Sequence, residues 1–211
     1  MLVKTASPCN GFDVNQQLLP GEALAFKNAG YDFCIRYLPR AADLIAGNLT
    51  NIELEKVLLE EGLCVMAVQH CPEPGWSPSD PLGSKYGNFA AQYAESIGYP
   101  KGASIYLDLE TPSSAATAQD CIDYVHSWVA AVESVGYLAA LYIGYGVPLT
   151  PKQLYDLPVK SYWSAYNYDD GVATRGFQIV QHIQKTLNEI TFDPNTIKVD
   201  DLGDLPIWVS P

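Results

Sequence analysis

The sequence predicts an α/β fold, a single trimmed (β/α)8 TIM-like barrel over residues 1–211, from three observations. Short apolar segments of strand character recur along the chain. Four of them follow a glycine of the kind that ends helices, Gly30, Gly62, Gly98 and Gly136, which stand 32, 36 and 38 residues apart. The last strand candidates, starting at 139, 161, 177 and 196, then crowd to intervals of 22, 16 and 19 residues, too short for ordinary helical crossovers.

The candidate strands, in order, cover 12–14, 33–38, 65–70, 104–110, 139–145, 161–166, 177–182 and 196–200. Between the early ones lie helical patterns. Thr50 with Glu53 three residues later reads as a capping box before Leu54, Val57 and Leu58, and Ile122, Val125, Val129 and Val132 mark one face of another helix. Eight strands with helices between the first five suggest a barrel whose final strands are joined by loops or hairpins. An open α/β sheet explains the first five equally well, but not the three closely spaced ones.

Composition narrows the function. With 48% hydrophobic and 17% charged residues among 211, the chain can fill a core. Twenty-four acids against 12 bases give a formal charge of −12, which argues against nucleic acid as a partner. No apolar run reaches a membrane-spanning length, and the N-terminus lacks the basic start and apolar stretch of a secretory signal. The expectation is a monomer made in the cytoplasm, which reaches any external substrate by a route other than a signal peptide. Five cysteines in apolar contexts, without paired spacing, read as free thiols.

The chemistry is most legible in Ile105-Tyr106-Leu107-Asp108-Leu109-Glu110. Alternation turns Tyr106, Asp108 and Glu110 to one face, so two carboxyl groups stand side by side with Cα atoms ~6.6 Å apart. Neighbouring carboxyls can split their proton affinities, leaving one an acid and the other a base or nucleophile. The structural alternative is an ion pair inside the barrel, with Arg36 as the counter-charge. Other strand ends offer Asp13, Arg36, Tyr37, Gln69, His70, Tyr142, Tyr166, Gln181 and Asp200, which a barrel would gather at one mouth, Arg36 among those placed to bind substrate. Trp76, in a proline-rich loop, is either a stacking platform for a sugar or a pin holding the loop to the rim. No GxSxG elbow, phosphate loop or HExxH spacing occurs, so neither cofactor nor metal is called for. A metal-dependent hydrolase using Asp13, His70, Asp108 and Asp200 is the weaker alternative.

Several segments in sequence order, among them Gly11-Phe12-Asp13-Val14, Tyr106-Leu107-Asp108-Leu109-Glu110, Leu141-Tyr142-Ile143-Gly144 and Ile179-Val180-Gln181, resemble the family 25 glycoside hydrolases, which are lysozyme-like muramidases. Tyr31-Asp32-Phe33-Cys34-Ile35-Arg36-Tyr37-Leu38 and Leu49-Thr50-Asn51-Ile52-Glu53 are more similar to the glycoside-hydrolase-like relatives grouped as domain of unknown function 1906. The resemblance implies a trimmed barrel acting on a peptidoglycan-like glycan. It implies Glu110 as general acid, Asp108 as its carboxylate partner, and Asp13 and Asp200 as acids completing the cleft floor, with Asp193 and Asp201 as alternatives to Asp200. Tyr142, Tyr166 and Gln181 would line the sugar site. A glycan-binding module that keeps the cleft without turnover, its acids locked by Arg36, is the alternative function.

Overall fold

A computed structural model describes residues 1–168 and 170–211. Seven strands run parallel around a ring: β2 (Cys9–Val14), β3 (Phe33–Leu38), β4 (Cys64–Gln69), β5 (Ser104–Leu109), β6 (Leu138–Ile143), β7 (Tyr162–Ser164) and β8 (Ile179–Gln181). The eighth, β10 (Ile190–Ile197), closes the ring between β8 and β2 and is antiparallel to both. It returns from β9 (Lys185–Leu187) through a tight turn at Asn188 and Glu189, and that reversal sets its direction.

The closed, helix-poor barrel expected from strand spacing is therefore present. Early crossovers carry α1 (Pro20–Asn28), a π-helix (Glu53–Leu59), α2 (Asp80–Ser96) and α3 (Ala118–Val135), and later, among the described residues, only the six-residue α4 (Pro151–Asp156) appears. All four punctuating glycines have positive φ; at Gly136 this left-handed residue ends α3 and returns its N–H to the Glu133 carbonyl. The eighth strand differs from expectation: it covers 190–197 rather than 196–200, and its start, not its end, lies at the mouth. Pro194 interrupts the strand pattern in sequence, yet it is tolerated because it faces away from the interior and still accepts the His182 N–H at 2.7 Å.

Inside the ring, Phe33, Ile35, Met66, Val68, Tyr106, Trp163, Ile179 and Ile197 fill the barrel, so it is a packed core rather than a pore. The bottom is closed by β11 (Ile207–Ser210). It pairs with β1 (Leu2–Thr5) and touches the start of β4, where Trp208 joins the interior cluster. Outside, Ile105, Leu107 and Leu109 of β5 face the helices, as their alternation requires.

Helices α2 and α3 approach closely because α2 presents Gly83, Gly87, Ala90, Ala91 and Ala94. A Cβ on Gly83 would lie 2.2 Å from the Tyr124 carbonyl oxygen, a backbone atom that cannot swing aside. Gly83→Ala is therefore expected to destabilise the fold by about 1–3 kcal/mol, since the overpacking outweighs the roughly 1 kcal/mol that alanine gains in helix propensity. Urea unfolding measures the balance.

Candidate active site

The parallel strands deliver their C-terminal ends, and β10 its N-terminal half, to one cleft of about 430 Å³. Tyr37, Val68, Asp108, Glu110, Tyr142, Trp163, Tyr166, Gln181 and Asp193 are among its walls. A smaller lobe of about 280 Å³, lined by His70, Cys71, Glu73 and Thr111, shares Tyr37, Asp108 and Glu110 with it. The acid pair thus stands where two lobes meet.

Asp108 is 7% exposed. Its Oδ2 accepts the Cys71 N–H at 3.2 Å, while its Oδ1 is buried without a partner among the described residues. Burial, and then the neighbouring Glu110 charge, push its carboxyl well above the usual range. Glu110, half-buried, is raised by burial as well. Two close carboxyls in a dry setting hold a proton between them at pH values where free carboxyls are ionised.

The end of β5 is fixed around Glu110 by its surroundings. Its carbonyl accepts the Trp76 indole N–H at 2.9 Å and the Cys71 thiol at 3.1 Å, and the next residue, Thr111, is held at φ +47°. Gly144 clears the space for the side chain: a Cβ there would lie 2.4 Å from Glu110 Oε2.

Asp13 lies beneath the floor, 1% exposed. Tyr37 donates its hydroxyl to Oδ1 at 3.1 Å, and Gln181 and Asn195 donate amide N–H groups to Oδ2 at 3.0 and 2.8 Å. Tyr142 donates to Gln181 Oε1, and Trp163 to Asn195 Oδ1, which extends the network to the cleft walls. Burial outweighs these three donors and lifts Asp13 to about 7. A carboxyl raised in the folded state binds more protons there than when unfolded, so its contribution to stability falls as pH rises from about 4 to 7, by on the order of 1 kcal/mol per pH unit. Asp13→Asn is expected to flatten that slope and to raise stability at neutral pH. Its oxygen can serve Gln181 and Asn195, and Tyr37 can turn to accept. Thermal melts across this range check it.

Four of the residues singled out in sequence lie elsewhere or act otherwise. Asp200 is at the opposite end of the barrel, because β10 runs antiparallel. There it accepts from Arg175 Nε at 2.8 Å, from Gln178 at 2.6 Å and from the backbone of Leu202 and Asp204. The quartet Asp13, His70, Asp108 and Asp200 is accordingly not assembled. Arg36 points outward from β3, fully buried against Glu53 on the π-helix, and does not neutralise the acid pair. Gln69 also points outward, bonding the Pro39 and Tyr86 carbonyls and the Trp128 indole. Trp76, 9% exposed and packed edge-on against Tyr124 at 4.8 Å, pins its loop instead of offering a platform. Tyr37, Tyr142, Tyr166 and Gln181 do line the main cleft, and His70 stacks on Tyr37 at 4.4 Å in the smaller lobe.

A family described as Rv2525c-like, glycoside hydrolase-like domain matches residues 24–204. The chain belongs to that family. No curated protein matches it. Among solved structures, this glycoside hydrolase-like chain is similar to an uncharacterized B. stearothermophilus protein (16% identity, TM-score 0.71, covering 90% of this chain and 96% of that one). It is also similar to a muramidase from Trichobolus zukalii (16%, 0.64, 90% and 93%) and to a family 25 glycosyl hydrolase from Bacillus anthracis (12%, 0.62, 90% and 88%). At such identities the likeness is one of fold.

Sequence reading of the glycoside hydrolase-like domain missed Asn195, and carried Asp193 only as an alternative. Asp193 lies opposite Asp13 in the β10–β2 register and lines the cleft; burial raises its carboxyl. The signal was present as alternation, since Asp193, Asn195 and Ile197 share the inward face, but Pro194 obscured it.

Proposed function

We propose that the cleft hydrolyses a β-glycosidic bond in peptidoglycan or a related amino-sugar glycan. The observation that carries this reading is the Asp108–Glu110 pair, two carboxyls of raised proton affinity at the junction of two cleft lobes. A sugar on each side of that junction would put the scissile oxygen beside them. Glu110, nearer solvent, protonates the leaving oxygen as positive charge develops on the sugar ring. That charge favours the ionised form of Asp108, which stabilises it in turn and leaves the proton of the pair on Glu110. Asp13, beneath the floor, holds Tyr37 and Gln181 in place. Exposed Tyr166 and Ile183 give the rim apolar surface for sugar faces. Membership of a glycoside hydrolase-like family and a fold shared with a muramidase support the substrate class.

The test is release of reducing ends from cell-wall sacculi and from soluble amino-sugar oligomers. Product is expected with the native protein. Saccharide binding by calorimetry with no product would favour the non-catalytic module instead. Gly144→Ala, which crowds Glu110 without removing it, is expected to lower turnover by about 10- to 100-fold while the protein stays folded. Circular dichroism alongside the assay separates the two effects.

A further inference from the structure

Among the described residues ten glycines take a positive φ, and so do four other residues, Thr111, Thr174, Asn188 and Glu189. Asn188 and Glu189 make the turn between β9 and β10, and Thr174 precedes Arg175, which bonds Asp200 at the far end of the barrel. Thr111 is the one beside the acid pair: it follows Glu110 directly and lines the smaller lobe with Asn15, His70 and Glu73. A β-branched side chain fits the left-handed region worst, so threonine makes this turn at a cost that glycine would not. Glycine is used on either side of it, at Gly75 (φ +88°) and Gly146 (φ +78°).

The backbone there is fixed without help from the side chain. Thr111 N–H donates to the Tyr145 carbonyl at 2.7 Å, the Thr111 carbonyl accepts the Gly75 N–H at 2.9 Å, and Trp76 bridges to Pro112. The Thr111 hydroxyl takes part in none of these bonds, and the residue is only partly buried, which leaves that hydroxyl open to a ligand in the lobe. We infer that Thr111 is a substrate-contacting residue whose hydroxyl bonds a sugar hydroxyl in the smaller lobe, the side chain being what the strained turn is kept for; this rests on the glycan reading above.

The chemistry of the lobe agrees. A threonine hydroxyl both donates and accepts, as a sugar hydroxyl does. His70, pushed down to about 4 by burial and by Arg40 and Arg36, is a neutral imidazole above that pH and offers the same two roles, as does the Asn15 amide. Neutral groups that both give and take hydrogen bonds suit an uncharged sugar ring. The β-branch also restricts χ1, so the hydroxyl is aimed before a sugar arrives.

The experiment measures binding of N-acetylchitotetraose by calorimetry, with thermal melts alongside, for the native protein and for Thr111→Val, Thr111→Gly and Thr111→Ser. Valine keeps the β-branch and its strain and removes only the hydroxyl, so Thr111→Val is expected to melt with the native protein and to bind about 3- to 10-fold more weakly. Thr111→Gly is expected to bind as weakly while melting no lower than the native protein, because relief of the left-handed strain offsets the greater freedom of glycine in the unfolded chain. Thr111→Ser, which keeps the hydroxyl, should bind within about twofold of the native protein. In reducing-end release from sacculi, the loss in Thr111→Val should fall on KM with kcat level. Native affinity in Thr111→Val overturns the inference and, with reducing ends still released, leaves the glycosidase reading standing. A lower melting temperature in Thr111→Gly with affinity per folded molecule unchanged marks a structural residue and overturns it too. A native protein that binds the tetramer and cuts nothing loses the hydrolase reading and keeps the contact where valine weakens binding; if it neither binds nor cuts any glycan, both readings fall.

Discussion

Glu110→Gln is expected to lower kcat on a cleavable amino-sugar glycan by about 10²–10⁴-fold with little change in saccharide affinity, because glutamine keeps the shape and loses the proton. The pH profile carries the sharper information. The native pair works with one proton between its two carboxyls, so the rate should be bell-shaped, with limbs that belong to the pair rather than to either residue. Burial raises both groups and the Glu110 charge raises Asp108 further, which places the bell above the ordinary carboxyl range. In Asp108→Asn the repulsion is gone and only Glu110 titrates. The acid limb should vanish and the alkaline limb move to lower pH, on top of a large fall in kcat. An unchanged bell in that variant would remove Asp108 from the pair.

Much of this site could be read from local pattern. Alternation along 105–110 put Asp108 and Glu110 on the inner face, and the structure keeps them there. Strand spacing gave a barrel short of late helices, because crossover length is a local property of the chain. What could not be read depends on strand direction and on distant partners. Asp200 follows the eighth strand, and only the reversal through β9 shows that this end lies away from the mouth. The outward turn of Arg36, by contrast, was legible, since it is adjacent to Tyr37 on β3 and alternation alone sends the two to opposite sides of the barrel wall; only its partner Glu53 was out of local reach. Glu53 was legible as a capping residue. Its N–H does bond Thr50 Oγ1 at 3.1 Å, but its carboxylate goes to Arg36 and to the Leu18 N–H, so the return half of the box is not made.

Arg36→Met is expected to cost about 3–5 kcal/mol of stability, because it strands a carboxylate with no exposure to water. Arg36 Nε donates to Glu53 Oε1 at 2.7 Å and Nη2 to Oε2 at 3.2 Å, while Nη1 bonds the Val14 carbonyl and Nη2 the Gly47 carbonyl. One guanidinium thus ties β3 to the end of β2, to the loop before Asn48 and to the π-helix. Removing it leaves two carbonyls short of a donor as well as a bare charge. The double variant Arg36→Met with Glu53→Leu should recover a large part of the loss, since burial of the pair carries its own desolvation cost. Recovery should be incomplete, because the Leu18 N–H also loses its 2.9 Å acceptor. Urea unfolding of the native chain, both single variants and the double variant yields the coupling. A loss below about 1 kcal/mol in Arg36→Met would mean that water reaches Glu53. Glycan affinity per folded molecule should stay level across the series, since the guanidinium lies on the far side of the barrel wall from the cleft.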